Sequence, residues 1–586
     1  KAGTEPTPLE NAYFVTENQL SEYKEEERVF NKEDGTIKAY KIGKFIYRLA
    51  GRDREKSASY YTPEVLTKSL VKYALKELLE IDDDGRIGKN ADEILNLTVC
   101  EPAMGSAAFL NEAINQLSEA YLHKKQIETG KKIPHSSYKE KLKNGEVIKH
   151  KGYIEELQRV KMHIADNNVY GVDLNPTAVE LAEISLWLNA LSGSFVPWFG
   201  FQLENGNSLI GARREVYETH QLTATKKALI WYEDAPKRLT PTTILKGFKK
   251  ETQPEKPKQQ KFDVFTKPKQ QKLDLEETRS AGRKKDTQIY HFLVGDKAMV
   301  NYTDKVVKTL KKEKIEHINK WRKEFIKPHV DTEVNVLLKL SLAIDKLWQE
   351  QTRHLDDMKK KTTDTLYVWG QPKAKKQQTN IEYKDTVFMQ EKLSADVKSS
   401  SPYMRLKIVM DYWCSLWFWP IEKAKLLPTR AEFLHDISLL VEKRDDIIMN
   451  FDKDLFSDTI DDEIRTTQLT ELGFIDVAEQ IEKNPRLQVV QDVSAKQKFL
   501  HWELEFADVF AKKGGFDLIL GNPPWLKVEW EEKGIMGEVN PLFDIRKFTA
   551  NNLNLLREET LENYPNLLNE YINEYESASA TQNFLG

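Results

Sequence analysis

The spacing of hydrophobic residues changes several times along the chain, and each change predicts an element. In residues 58–80, apolar side chains recur at helical spacing after a Tyr-Thr-Pro turn, with Thr62 suited to the N-cap and Pro63 to the first turn. Short apolar runs predict buried strands at residues 94–100, 168–172 and 516–520. Helical patterns follow at residues 103–122 and 176–191.

The order of these elements predicts the fold class. Strand, turn and helix repeat in sequence, which is typical of an α/β fold with a parallel, doubly wound sheet. The stretch from about 212 to 500 interrupts this pattern. Residues 236–290 are rich in Pro, Lys, Gln and Thr and predict a flexible linker, whereas residues 296–358 and 403–450 are mainly helical in pattern.

Composition narrows the class of protein. Of 586 residues, 40% are hydrophobic and 31% charged, which allows three or four domains with real cores. No run reaches the roughly 18 apolar residues of a membrane span, and the N-terminus has no apolar signal segment, so we expect a cytoplasmic protein without a membrane partner. Two cysteines fit a reducing compartment and exclude a disulfide framework, and no His or Cys spacing predicts a metal.

Charge is unevenly distributed along the chain. The net charge is only −4, but residues 237–285 carry 15 Lys or Arg against 6 Asp or Glu, and a second basic cluster runs from Lys359 to Lys376. Such segments either follow a phosphate backbone or form solvated linkers, and the sequence leaves both interpretations open.

Glu101-Pro102-Ala103-Met104-Gly105 follows the first predicted strand directly. Ligands of open α/β sheets bind at the carboxyl ends of strands. Small residues there would let a ligand approach the backbone, and Glu101 would accept a hydrogen bond from an ammonium group. An ordinary strand-to-helix turn is the alternative.

Asp173 stands at the tip of the second strand, in Gly171-Val172-Asp173-Leu174-Asn175-Pro176. An acidic residue in this position can hold both hydroxyls of a ribose. Asn175 before Pro176 is also a good helix cap, and the two roles are compatible. A further strand is expected to end at the polar turn Asn205-Gly206-Asn207-Ser208. In this turn Asn207 could contact an adenine ring and Leu209 could pack on it, although the turn alone resembles any polar loop.

Gly521-Asn522-Pro523-Pro524-Trp525 is the sharpest signal in the chain. The two prolines fix the backbone and offer carbonyl acceptors without N–H groups. Asn522 and Pro523 could therefore accept the two hydrogens of an exocyclic amine, with Trp525 as a stacking face. The alternative is a rigid turn beside a core tryptophan.

Together, the Tyr-Thr-Pro turn and the four strand-end motifs resemble class I S-adenosylmethionine-dependent DNA adenine-N6 methyltransferases with a Rossmann-like sheet. The run 411–420 and residues 526–548 are closest to the adenine methylase of class 1 DISARM phage-defence systems. This resemblance covers most of residues 50–220 and 400–586. Asn207 stands where many relatives have Asp, which keeps a hydrogen-bond partner but removes a charge.

The resemblance implies a role for each matching residue. Tyr61 and Thr62 would hold the methionine end of S-adenosylmethionine, and Asp173 its ribose. Asn522 and Pro523, followed by Pro524, would bind the N6 amine of a flipped-out adenine, against which Trp525 would stack. The remaining cofactor residues would be Glu101, Pro102, Ala103, Gly105, Leu174, Asn207 and Leu209.

These assignments divide the chain into five parts. They are an N-terminal segment (1–57), the cofactor-binding half of the methyltransferase domain (58–215), a basic linker (216–295), a helical insertion (296–500) and the catalytic-motif segment (501–586). Only 61 residues follow Trp525, too few for the rest of the sheet and a target-recognition domain, so we expect these parts to be missing or located elsewhere.

The expected partners are double-stranded DNA and other defence-system proteins. Two alternatives remain open: a methyltransferase acting on RNA or a protein amide, and a cofactor-binding, DNA-sensing subunit without turnover. No Gly-x-x-x-x-Gly-Lys-Ser/Thr loop is present, which disfavours a helicase or kinase.

Overall fold

The structure, a computed structural model, describes eleven stretches of the chain. They are residues 12–31, 33–46, 62–141, 147–191, 196–226, 230–239, 282–372, 380–388, 401–442, 476–523 and 530–586. Three residues with predicted roles, Tyr61, Pro524 and Trp525, lie outside them.

The described strands and helices are numbered here in chain order. The strands are β1 (Val99–Glu101), β2 (Tyr138–Lys141), β3 (Val147–His150), β4 (Val169–Asp173), β5 (Leu203–Asn205), β6 (Glu215–Glu218), β7 (Lys237–Arg238), β8 (Gln288–Tyr290) and β9 (Leu518–Ile519). The helices are α1 (Glu64–Leu78), α2 (Ala91–Leu95), α3 (Ala108–Thr129), α4 (Tyr153–Asn167), α5 (Pro176–Asn189), α6 (Thr219–Leu222), α7 (Lys305–Leu310), α8 (Lys312–Phe325), α9 (Asp331–Thr362), α10 (Ile381–Phe388), α11 (Pro402–Ser415), α12 (Arg430–Val441), α13 (Val477–Lys483), α14 (Pro485–Gln497), α15 (Trp502–Glu505), α16 (Ala507–Lys513), α17 (Glu532–Val539), α18 (Leu542–Ile545), α19 (Ala550–Asn563) and α20 (Leu567–Leu585). Short 3-10 helices occur at Gln19–Glu22, Glu25–Glu27, Trp231–Glu233, His291–Leu293 and Ile421–Leu426.

A parallel sheet of four described strands positions the predicted sites. Its order is β5-β4-β1-β9, so β1 lies between β4 and a strand more than 400 residues later in the chain. Helices α1, α3 and α4 pack with β1 and β4 in one hydrophobic core. Gly171 in β4 makes room for this packing, because a Cβ there would clash with the Met104 sulfur and crowd the Leu203 side chain.

Several predicted boundaries were wrong by a few residues. Helix α1 begins at Glu64 with Pro63 at the N-cap, so Thr62 does not cap it. Residues 94–97 do not belong to a strand, because Asn90 and Glu93 form a capping box that starts α2 there. Helix α3 begins at Ala108 rather than residue 103, because Gly105 and Ala107 adopt left-handed conformations that a helix does not accept.

A second hydrophobic core belongs to the largely helical region. Helix α11 packs against α9, α12 and α14, and the aromatic run 412–419 is buried among them. The indole N–H of Trp413 donates to the Val294 carbonyl at 2.9 Å, and that of Trp419 donates to the Lys423 carbonyl at 3.0 Å. This aromatic run therefore belongs to the core and is not an exposed stacking surface.

The two ends of the predicted linker are ordered. Strands β7, β6 and β8 form an antiparallel sheet in that order, and Trp231 and Tyr290 are fully buried. The indole N–H of Trp231 donates to the Gly295 carbonyl at 2.7 Å. The prediction of a flexible linker was therefore wrong for residues 236–239 and 282–290, because their strand pairing and apolar side chains complete the second core. Residues 240–281 lie outside the described part.

Candidate active site at the carboxyl edge of the sheet

Four predicted motifs meet at one edge of the parallel sheet. Strand β1 ends at Glu101, β4 at Asp173 and β5 at Asn205, while β9 is followed within three residues by Asn522. Because the strands are parallel neighbours, their carboxyl ends lie side by side. Residues separated by more than 400 positions in the chain thus share one site.

The turn after β1 leaves room next to its backbone. Gly105 has a φ of +53°, and a Cβ at this position would meet nothing within 4 Å. The Met104 N–H donates to the Val172 carbonyl at 3.0 Å, which fixes the turn against β4. Pro102, Ala103 and Gly105 are partly exposed. The open space beside Gly105 is suitable for a ligand that approaches the backbone closely.

Asp173 joins the ends of β1 and β4. Its Oδ2 accepts from the Gly105 N–H and its Oδ1 accepts from the Asn175 N–H, both at 2.8 Å. Asn175 in turn caps α5 by accepting from the Thr177 N–H at 3.0 Å, as predicted. Each carboxylate oxygen has two lone pairs, so one bond to the backbone leaves capacity for a ligand hydroxyl.

Glu101 is a buried carboxyl at the same edge. It is 2% exposed, and its Oε2 accepts from the Leu110 N–H at 3.3 Å, in the first turn of α3. Burial raises the pKa of Glu101 well above its ordinary value, and the nearby Asp173 raises it further. A cationic group bound next to Glu101 would stabilise the charged carboxylate.

Asn522 is joined to the predicted Tyr-Thr-Pro turn. Its side-chain Nδ2 donates to the Thr62 hydroxyl at 3.3 Å. A Cβ placed on the neighbouring Gly521 would lie 3.7 Å from the ring of Pro102 and 3.8 Å from the side chain of Glu101. Asn522 and Pro523 are exposed. The turn after β9 therefore lies against the turn after β1, with Thr62 at its side.

The loop after β5 holds the third predicted motif. Asn207 Oδ1 accepts from the Leu209 N–H at 3.1 Å, and the side chain of Leu209 is exposed. The side chain of Leu174, in the loop after β4, is exposed as well. Two apolar side chains that remain exposed next to polar loop groups are suited to covering a flat ring.

A segment that sequence reasoning missed supports both loops. The backbone carbonyl of Lys498 accepts from the Asn207 N–H at 2.7 Å, and its ammonium donates to the Leu174 carbonyl at 3.1 Å. The indole N–H of Trp502 donates to the Ser208 carbonyl at 3.0 Å. Lys498 itself has a φ of +53° at the end of α14, which turns the chain toward the loops.

His501 continues this support into the helical region. Its Nδ1 accepts from the Ala212 N–H at 3.0 Å, so the proton is on Nε2, which donates to Asp411 at 2.9 Å. Asp411, on α11, also binds Lys407 and Ser494 at 2.8 Å. Burial would raise the pKa of Asp411, but Lys407 and His501 hold it at about 2. No sequence motif marks this network, since its members are dispersed over residues 212–501.

The described residues contain no cluster of three or more His, Cys, Asp or Glu side chains that could hold a metal ion. Among the helices in this part of the chain, none is long and apolar enough to cross a membrane.

Comparison with known proteins shows that part of this chain is similar to a curated protein. The chain is 26% identical over 215 residues to a Methanocaldococcus jannaschii protein named "Putative type II restriction enzyme and methyltransferase". That match covers 30% of this chain and 16% of the relative. This chain therefore spans only a small part of the length of that relative. No solved structure matches the chain significantly.

The family follows from a longer match. The sequence model of the Eco57I restriction-modification methylase family matches residues 167–554, which is more than half of the chain. The protein therefore belongs to the Eco57I restriction-modification methylase family. The matched region begins just before β4 and includes β9, Asn522 and the helical region between them.

Proposed function

We propose that this protein transfers a methyl group from S-adenosylmethionine to the N6 amine of an adenine flipped out of double-stranded DNA. The observation that carries the proposal is the contact between Asn522 and Thr62, beside the Glu101–Pro102 turn and at the same sheet edge as Asp173. Under this proposal the four parallel strands are part of a doubly wound, Rossmann-like class I methyltransferase sheet.

The residues at the sheet edge fit S-adenosylmethionine in chemistry and in space. Glu101 would pair with its ammonium group, Asp173 would bind the ribose hydroxyls, and Asn207 would face the adenine ring between Leu174 and Leu209. Pro102, Ala103 and the open space at Gly105 would accommodate its amino-acid portion, with Tyr61 and Thr62 at the methionine end. When bound, this cofactor supplies an electrophilic methyl group.

The turn after β9 would bind the amine that accepts the methyl group. Asn522 Oδ1 and the Pro523 carbonyl would accept the two hydrogens of the adenine N6 amine. Two such bonds draw the nitrogen lone pair out of ring conjugation and orient it for attack. The positive charge that develops on the amine is stabilised by both carbonyl dipoles. Thr62 holds the Asn522 amide through its nitrogen, and Pro524 and Trp525 would complete the base-binding turn.

The decisive experiment is transfer of radiolabelled methyl from S-adenosylmethionine to unmodified DNA, followed by nucleoside analysis. We expect label in N6-methyladenine, and its loss by at least about 100-fold in Asn522→Ala, with cofactor affinity changed little. The matched control is Asn554→Ala, which removes the same amide from α19. Wild-type turnover by Asn522→Ala would overturn the proposal, whereas label in RNA or protein would indicate one of the alternative acceptors.

We also propose a biological role for this activity in the cell. The resemblance of residues 411–420 and 526–548 to DISARM adenine methylases supports a role in bacterial phage defence, in the cytoplasm and with companion defence proteins. Phage challenge of cells that carry or lack an intact Asn522 would test this role. Cofactor binding with no transfer to any acceptor would instead favour a DNA-sensing subunit.

A further inference from the structure

Strand β9 carries Asn522 just beyond its end, but its backbone makes few contacts with the sheet. Among the described strands it pairs only with β1, and the register joins just two pairs of residues. The Leu520 N–H donates to the Cys100 carbonyl at 2.9 Å and is the last bond of this short ladder before Asn522. Something besides backbone pairing must therefore hold β9 in its register.

The hydrophobic pattern of β9 does not fix this register. Residues 516–520 read Phe-Asp-Leu-Ile-Leu, so apolar side chains occupy three consecutive positions. Leu520 is buried, while Ile519, on the opposite face, is 64% exposed. A shift of one residue along β1 would turn Ile519 inward and Leu520 outward. This shift exchanges side chains of similar size and hydrophobicity, so burial discriminates only weakly between the two registers.

Thr98 and Asp517 make a contact that is specific to one register. The Thr98 N–H and hydroxyl both donate to Asp517 Oδ2 at 2.8 Å, and the Asp517 N–H donates back to the Thr98 hydroxyl at 3.2 Å. Lys513, at the end of α16, donates to the same carboxylate at 2.6 Å. Thr98 is buried. A slip of β9 would take its N–H and hydroxyl away from the carboxylate, which costs free energy.

The register of β9 decides where Asn522 lies, because only four residues separate it from Asp517. A strand advances about 3.3 Å per residue, so a slip of one residue would move Asn522 by about that distance. The Asn522 Nδ2 lies 3.3 Å from the Thr62 hydroxyl, and a movement of this size would break the contact. A displacement of even about 1 Å at a reacting centre can reduce the rate about 100-fold.

We propose that Thr98 and Asp517 are positioning residues, which set the register of β9 and so hold Asn522 where the methyl-accepting amine binds. The inference rests on the proposed function of Asn522 in methyl transfer. Both residues precede their strands, at the amino end of the sheet and away from the candidate site. They should therefore act on the rate constant of methyl transfer and not on cofactor affinity.

The test compares Thr98→Val, which removes the hydroxyl but keeps the side-chain shape, with Thr98→Ser, which keeps the hydroxyl. Transfer of radiolabelled methyl to unmodified DNA gives kcat, and isothermal titration gives the affinity for S-adenosylmethionine. We expect Thr98→Val to lower kcat at least about tenfold, with cofactor affinity within about twofold of wild type. Thr98→Ser should keep wild-type kcat. The matched control is Thr362→Val, which removes a similarly buried threonine hydroxyl from α9.

Amide hydrogen exchange measures the pairing of β9 without methyl transfer. The Leu518 and Leu520 N–H groups donate to carbonyls before and within β1, so both should exchange faster in Thr98→Val than in Thr362→Val. Asp517→Ala removes the acceptor from a side chain that is partly exposed, and it should lower kcat in the same way if Thr98→Val does not fold.

Wild-type kcat in Thr98→Val would refute the inference even with faster exchange, because the contact would then be purely structural. Equal exchange in Thr98→Val and Thr362→Val would refute it as well. A wild-type protein that transfers no methyl group would contradict the proposed function, and the exchange comparison would still test whether Thr98 and Asp517 set the register of β9.

Discussion

The backbone N–H of Gly105 donates a 2.8 Å hydrogen bond to the carboxylate of Asp173. Together with the bond from the Met104 N–H to the Val172 carbonyl, it couples the turn after β1 to the end of β4, so that two cofactor-binding candidates are held side by side. It also orients Asp173 toward the open space beside Gly105, where a side chain would meet nothing within 4 Å.

Gly105→Ala should reduce the affinity for S-adenosylmethionine more than it reduces the free energy of unfolding. The new methyl group would occupy ligand space, while the left-handed backbone costs about 1 to 2 kcal/mol of unfolding free energy. Isothermal titration and thermal unfolding would measure the two effects. Gly130→Ala is the matched control, because Gly130 has a φ of +65° and equally open surroundings at the far end of α3. Equal cofactor affinity in both variants would contradict the assignment of this turn.

Glu101→Gln should stabilise the protein and impair cofactor binding at neutral pH. Burial raises the pKa of Glu101, so its ionisation costs stability as pH rises above the ordinary value of about 4.5. The variant should therefore unfold at higher temperature at pH 8, and the difference should vanish below pH 4.5.

The affinity for the cofactor should also depend on the protonation of Glu101. An ammonium partner favours the ionised carboxylate, so wild-type affinity for S-adenosylmethionine should rise with pH as Glu101 loses its proton. Glu101→Gln should bind more weakly and lack this rise. A variant that kept the wild-type pH profile would show that Glu101 does not meet the ammonium group.

Lys498 should act on cofactor binding through the two loops that it joins. Lys498→Met removes the hydrogen bond from its ammonium to the Leu174 carbonyl, which is worth about 1 kcal/mol, or roughly fivefold in cofactor affinity. Lys498→Gly removes it too but relieves the left-handed backbone. Both variants should bind the cofactor more weakly, although Lys498→Met keeps the left-handed backbone of the wild type and Lys498→Gly does not, and Lys498→Arg should restore binding. Wild-type affinity in Lys498→Met would contradict this role of the ammonium group.

Asp411→Asn should destabilise the protein strongly at neutral pH. Breaking a buried pair costs roughly 3 to 5 kcal/mol, and His501, Lys407 and Ser494 would all lose a charged acceptor. Because the pKa of Asp411 is lowered to about 2, its contribution is present above pH 4 and is lost as pH falls toward 2.

Urea unfolding at pH 7 and pH 3 would measure the effect of Asp411→Asn. Asp356→Asn is a suitable comparison, because its ion pair with Lys512 lies at the surface and should contribute at most about 1 kcal/mol. Equal destabilisation by the two variants would show that the buried network is no stronger than a surface pair.

Local patterns in the sequence predicted the elements and the order of the motifs. The apolar runs before Glu101, Asp173 and Asn522 each became a parallel strand, and Asn175 capped its helix, because strand burial and capping depend on neighbouring residues. Element ends were less accurate. Left-handed residues such as Ala107, which has a φ of +63°, carry no compositional signal and delayed the start of α3.

What the sequence by itself determined was therefore the parallel sheet and the motifs at its strand ends. Only the tertiary structure decided that β9 pairs with β1, that Thr62 contacts Asn522, and that Lys498 and His501 support the loops after β4 and β5. These contacts join residues that are far apart in the chain. Their energy comes from packing and hydrogen bonds that form only when these distant segments meet in the folded chain, so no local pattern encodes them.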